Sequence, residues 1–157
     1  MTIMANTIYG AAVGFFRGKE VYLCRRIDTP LFPKKWQFAN GRLHGTEQSQ
    51  DAAVRIMAEQ TGIKIDRSRL NYVTSLTINE TNEFYYIYLV HLEDSEIPVN
   101  MDMVYKSDWK LFSMKASVVL DLVPGIRHIL LKLHRALIKF EAREVDSTSM
   151  ECTDQYI

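Results

Sequence analysis

Residues 36–63, WQFANGRLHGTEQSQDAAVRIMAEQTGI, constrain the fold of this chain more than any other stretch. Gly41 is followed after five residues by Glu47 and after seven more by Arg55, and the run closes on Glu59 and Gly62-Ile63. The pattern reads as a loop that delivers backbone amides into a short amphipathic helix. Asp51, Arg55 and Glu59 fall at i, i+4 and i+8 on one face, while Ala52, Ala53, Ile56 and Met57 supply an apolar stripe. Thr46 or Ser49 is placed to cap the helix, and Gly62 to end it in the left-handed conformation.

The rest of the chain reads as one α+β domain. With 157 residues it is long enough to bury a core of its own without disulfides. Nineteen basic and nineteen acidic residues cancel, so no overall field draws it to nucleic acid or to an anionic membrane, and any polyanion has to be bound locally. Cys24 and Cys152 form no CxxC pair, which suits a reducing compartment. No apolar run reaches membrane-spanning length and no basic-then-apolar leader opens the chain, so a soluble cytoplasmic protein is expected, with Met4 an alternative start.

In chain order, residues 8–16 and 21–24 read as a hairpin around Arg17-Gly18-Lys19-Glu20. The pair Arg25-Arg26 and an irregular, proline-broken connection at 27–35 follow. Residues 70–79 and 84–93 form a second hairpin. In its latter strand Phe84, Tyr86, Tyr88 and Val90 share one face and Tyr85, Ile87, Leu89 and His91 the other, so both faces are expected to be covered. Residues 94–104 read as a loop and 109–112 as an edge strand. Ser113 is placed to cap a short helix to about residue 122. Pro124 is expected to open the longest helix, with Ile126, Leu130, Leu133, Leu137 and Phe140 inside and Arg127, Lys132, Arg135 and Lys139 outside. Residues 1–143 make a single domain and 144–157 a polar tail.

The window at 36–63 resembles the signature of the Nudix family: Gly, five residues, Glu, seven residues, then Arg-Glu-apolar-any-Glu-Glu-any-Gly-apolar. Gly41, Glu47, Arg55, Met57, Glu59, Gly62 and Ile63 match, whereas Ile56 and Gln60 stand where the family has glutamates, a degenerate box. The resemblance covers roughly residues 8–140. It implies an α/β/α sandwich with a mixed sheet, the signature loop-helix against it and a long C-terminal helix. It also implies a MutT-like hydrolase that cleaves a phosphoanhydride of a nucleoside diphosphate derivative or nucleoside triphosphate with Mg²⁺ or Mn²⁺.

By that resemblance Glu59 and Glu47, with the neutral amide oxygen of Gln60, would hold the metal. Glu59 and Arg55 would serve catalysis, Arg55 by anchoring Glu47; in isolation Arg55 could as well pair with Asp51 or Glu59. Arg26, Phe38, Asn40 and Gly41 would meet the substrate. Arg26 could equally be a solvated strand-end arginine, and Trp36, Phe38, Tyr72 and Tyr86 could stack a base or belong to the core. Where the family usually has Phe-Pro-Gly-Gly, this chain has Phe38-Ala39-Asn40-Gly41; asparagine tolerates positive φ, so a tight turn is expected to survive.

Two negative charges have left the site, and Mg²⁺ is recruited poorly by a lone carboxylate. Either the chain hydrolyses with a weakly held metal and a base among His91, Glu93, Asp94, Glu96 and Asp102, or it survives as a nucleotide-binding or protein-interaction module. A nucleotide is the expected partner, a homodimer the expected assembly, and neither membrane nor nucleic acid is expected.

Overall fold

The computed structural model describes residues 7–27, 29–102 and 105–148, with side chains to residue 139. Its elements in order are β1 (Ile8–Arg17), β2 (Glu20–Arg25), β3 (Trp36–Gln37), β4 (Ala39–Arg42), α1 (Ser49–Thr61), a 3-10 turn (Arg67–Arg69), β5 (Asn71–Ile78), β6 (Glu83–His91), β7 (Lys110–Ser113), α2 (Met114–Ser117) and α3 (Ile126–Thr148).

Strand β1 is the hub of the mixed sheet. It runs parallel to β6 from Ile8↔Glu83 to Phe16↔His91, antiparallel to β4 through its first half, and antiparallel to β2 at its far end. The main path is β3-β2-β1-β6-β5, with β7 closing on β2. Its composition explains this centrality. Small residues at Gly10, Ala11, Ala12 and Gly14 let other layers approach; a methyl group at Gly14 would overlap Leu133 Cδ1 of α3, and one at Gly10 would sit 2.7 Å from the Gly41 carbonyl.

The period of two divides the core. Ala11, Val13 and Phe15 of β1 pack with Tyr88 and Val90 beneath Ala52, Ala53, Ile56 and Met57 of α1. Ala12, Phe16, Ile87 and Leu89 pack beneath Ile126, Leu130, Leu133 and Leu137 of α3. The sheet is therefore buried on both sides, as the two apolar faces of β6 predict. Each fully buried Ile, Leu or Phe contributes roughly 1.5–3 kcal/mol of transfer free energy, and the two helices supply most of the cover.

Several local expectations are corrected. Residues 39–41 form no tight turn: Asn40 and Gly41 are extended in β4, paired with Ala12 and Ala11, and Asn40 has no positive φ. Short strands of this kind carry no periodicity and are set by their partner. Helix α1 has Gln48 at its N-cap and no side-chain cap, because the Ser49 hydroxyl bonds the Tyr88 hydroxyl at 2.5 Å. Gly62 does end it at φ 75°. Helix α2, capped by Ser113 as expected, stops at Ser117. Helix α3 begins at Ile126 rather than Pro124, since Gly125 at φ 89° cannot be helical, and it runs through the expected tail boundary to Thr148. The packing of Phe140, the state of Cys152 and the tail from 149 lie outside the described residues. Among the described residues, no helix is long and apolar enough to cross a membrane.

Candidate functional site

The site is organised by one side chain. Arg55, four residues before Glu59 on α1, donates from Nε and Nη2 to the two oxygens of Glu47, each at 3.0 Å, from Nη1 to Glu59 Oε1 at 2.6 Å and from Nη2 to the Arg42 carbonyl at 2.8 Å. The planar guanidinium thus makes a two-point fork with the loop carboxylate and a single contact with the helix carboxylate. Glu47 is fixed further by the His44 amide, which donates to Oε1 at 3.0 Å. The Arg55 hydrogen bond, ahead of every other influence, holds the Glu47 carboxyl below its usual 4.5. Glu47 in turn raises the Arg55 pKa. Of the alternatives open in the sequence, Arg55 takes both glutamates, and Asp51 turns instead to Arg67 at 3.3 Å.

Positions 56, 59 and 60, one turn of α1, sit in three different surroundings. Ile56 is 1% exposed and its Cδ1 lies 3.4 Å from where a Gly41 methyl would be, so it belongs to the core under β4. Gln60 donates from Nε2 to the Asn40 carbonyl at 2.7 Å, latching α1 to β4. Its Oε1 is buried and accepts no hydrogen bond from the described residues. Glu59 stands at the rim, with its side chain 53% exposed and Oε2 accepting nothing among the described residues.

These donors fit a divalent cation in a limited way. Among the described residues no three His, Cys, Asp or Glu side chains converge, and Arg55 offsets one of the two glutamate charges. An octahedral all-protein cage is not built. What remains among the described residues is one carboxylate oxygen of the exposed Glu59, since the Gln60 amide oxygen is buried, so an ion there would have to bring most of its ligands as water and phosphate.

On the other side of β4 lies a cavity of about 640 Å³, lined among others by Gln37, Asn40, Thr77, Glu83, Tyr85 and His128. Among the described residues, no lysine or arginine lines it. The Tyr85 hydroxyl donates to Glu83 at 2.6 Å, and Thr81 donates to the same carboxylate at 2.5 Å. Burial first, then Glu83, raises the Tyr85 pKa, so the phenol stays a neutral donor. Sequence reading missed Gln37, Glu83, Tyr85 and His128; the available cue was that Tyr85 shares the strand face that α3 covers.

Arg26 stands one residue back from this cavity. It donates to Gln37 Oε1 at 3.1 Å, to Thr29 Oγ1 at 3.2 Å and to the Leu31 carbonyl at 3.0 Å, bracing the 27–35 connection. Asn40 lines the cavity and Gly41 faces Ile56. Phe38 is corrected: it is fully buried among Phe16, Leu23 and Leu130 and presents no surface to a ligand. Its position in the chain suggests the loop, but its side chain serves the core. Among the proposed bases, Glu96 is gripped by Arg69 at 2.5 and 2.6 Å and held below the usual carboxylate range, a poor proton acceptor at neutral pH. Glu93 and Asp94 are exposed, Asp94 lying 3.7 Å from Arg17.

A family model, the NUDIX domain, matches residues 8–133. No curated protein sequence matches the chain. Among solved structures, the chain is similar to a MutT NUDIX hydrolase from Burkholderia pseudomallei, with 19% identity, a TM-score of 0.67, and coverage of 81% of this chain and 98% of that one. It is also similar to the NUDIX domain of Shewanella oneidensis NrtR complexed with ADP ribose (14% identity, TM-score 0.68, 87% and 99% covered). A third likeness is to a C. elegans Ap4A hydrolase (16%, 0.63, 85% and 99%). At these identities the structures speak to the fold, and the family match spans most of the residues that build both the sheet and the Arg55 cluster. The chain belongs to the NUDIX family.

Proposed function

We propose that this protein is a hydrolase that cleaves a phosphoanhydride bond of a nucleoside diphosphate derivative or nucleoside triphosphate, with Mg²⁺ or Mn²⁺ carried in by the substrate. The observation that supports this most is Arg55 shared between Glu47 and Glu59, which keeps a rim carboxylate in place with one oxygen unengaged. Glu59 would hold the ion, with Glu47 adding charge behind Arg55; the buried amide oxygen of Gln60 is not open to it. A divalent ion there would offset the charge that develops on the phosphoryl oxygens. Arg55 positions Glu47 and Glu59. Asn40 and Gln37, the latter braced by Arg26, line the cavity that would receive the nucleoside or the group linked to it. That cavity, lined among the described residues by hydrogen-bonding side chains and by Glu80 and Glu83 with no lysine or arginine, suits an uncharged moiety better than another phosphate. Gly41 admits the loop close to α1. The proton acceptor would come from His91, Glu93, Asp94 or Asp102, with Glu96 set aside by its bond to Arg69. Similarity to structures described as an Ap4A hydrolase and as a complex with ADP ribose is in keeping with a nucleotide ligand. A cytoplasmic location and a homodimer complete the reading, the latter checked by light scattering at micromolar concentration.

Burial of Ile56 favours a second reading, a nucleotide-binding or protein-interaction module without turnover. One experiment separates them: phosphate release from a mixed nucleotide panel under Mg²⁺ and Mn²⁺ titration, with the wild type and Glu59→Gln. The hydrolase reading expects metal-dependent release that falls on the order of 100-fold in the variant. Nucleotide-induced thermal shifts without metal, no turnover and indifference to Glu59→Gln would leave only the module.

A further inference from the structure

The cavity beside the signature loop is not the only concavity against β5 and α3. Their other ends enclose a second one of about 580 Å³, lined among others by Tyr72, Thr74, Leu89, Lys132, Arg135 and Lys139. The three cations stand three and four residues apart on α3, the spacing at which side chains on a helix are neighbours. Like charges so placed oppose helix formation. No aspartate or glutamate lies three or four residues from any of them in the sequence, and no acidic residue lines the groove. None of the three makes an ion pair with a described residue, whereas Arg17, Lys35, Arg55, Arg67 and Arg69 each meet a carboxylate. In a chain of zero formal charge, this is a local, concave concentration of positive charge that meets no carboxylate among the described residues.

Tyr72 supplies the second, independent feature. It is 57% exposed on β5, the strand at one end of the main sheet path, whose residues are exposed or half-buried. It is held there by structure: the ring meets Tyr88 edge-on at 5.7 Å, the hydroxyl bonds Ser75 at 2.5 Å, and the register shift between Tyr72 and Thr74 re-aims the strand at this point. A ring fixed at the border of a cationic groove offers a surface for a planar group while the cations face its phosphates. Seven residues of helix separate Lys132 from Lys139, about 10 Å along the axis, more than a single phosphate spans and suited to a di- or triphosphate chain.

We propose that the β5/α3 groove is a second ligand site, which takes a nucleotide through its phosphates at Lys132, Arg135 and Lys139 and its base at Tyr72. This site needs no metal and is independent of whether the Arg55 cluster hydrolyses anything. The test is titration of the ¹⁵N-labelled full chain with ADP, and separately with inorganic tripolyphosphate, both in EDTA. Amide shifts are expected at residues 71–74 and 132–139 with ADP. The triple variant Lys132→Gln, Arg135→Gln, Lys139→Gln is expected to raise the Kd for ADP at least roughly tenfold and to flatten its salt dependence. Tyr72→Ala is expected to weaken ADP and leave tripolyphosphate unchanged. Should the triple variant fail to fold, Arg135→Glu alone reads the same loss. Shifts confined to residues 40–62 and 83–85, an unchanged Kd in the charge variants, or equal affinity for ADP and tripolyphosphate with Tyr72→Ala silent would overturn the proposal.

Discussion

Arg55 illustrates how much one residue can decide and how its effect depends on proton concentration. Glu47 has a folded pKa below its usual 4.5 because the guanidinium bonds its ionised form. The stabilisation it contributes is therefore complete above about 4.5 and is lost as pH falls through the lower folded value. Glu47→Gln should accordingly cost stability at pH 7 and progressively less in acid, so that urea midpoints of the two proteins converge as the pH falls below 4.5. A constant gap across that range would contradict the assignment. Cys24 gives a second residue-scale expectation: burial pushes its thiol up to about 11, so in the folded protein it should resist a thiol reagent that modifies it at once in urea. The Arg55 cluster was legible in the sequence because i, i+4 spacing and a family pattern both point at it. The Gln60 latch and the burial of Phe38 were not, since both depend on where β4 lies across β1, a pairing between residues distant in sequence.

Among elements, the seam of β1, β4 and α1 is where packing leaves least room. Gly10→Ala would bring a methyl within 2.7 Å of the Gly41 carbonyl and 2.6 Å of Tyr85, and should cost about 1–3 kcal/mol. Gly41→Ala meets only Ile56 at 3.4 Å and should cost less; chemical denaturation of both variants checks the order. Ile56→Glu tests how strongly the core resists a carboxylate at this position. An ionised side chain at a position 1% exposed, without a partner, should cost roughly 2 kcal/mol or more, and the variant should be less stable than the parent before any question of activity arises. Helices α1 and α3 and the long strands were readable from periodicity. Strands β3 and β4, of two and four residues, were not, because nothing within segments so short distinguishes a strand from a loop.

For the whole molecule, the parallel seam between β1 and β6 joins the first strand to one that lies more than sixty residues later and places two helices on opposite sides of it. Hydrogen exchange should show β1 and β6 amides most protected, with β7 and β3 opening first, since the latter lie at the margin of the sheet. Slow exchange at β7 together with fast exchange at β6 would contradict this ordering. The two-sided core was foreseeable from two apolar faces on one strand; the two cavities were not, because each is enclosed by opposite ends of β5 and α3 and exists only once they are packed together.

The bond from Gln60 to the Asn40 carbonyl restricts what that position can hold. A glutamate at that position would lose the donor and turn an anion toward a carbonyl oxygen, while a glutamate at 56 would have to be drawn out of the interior. A variant with glutamate at either position alone should therefore be less stable than the parent, whichever is changed first. The scaffold itself thus holds both side chains to their present chemistry.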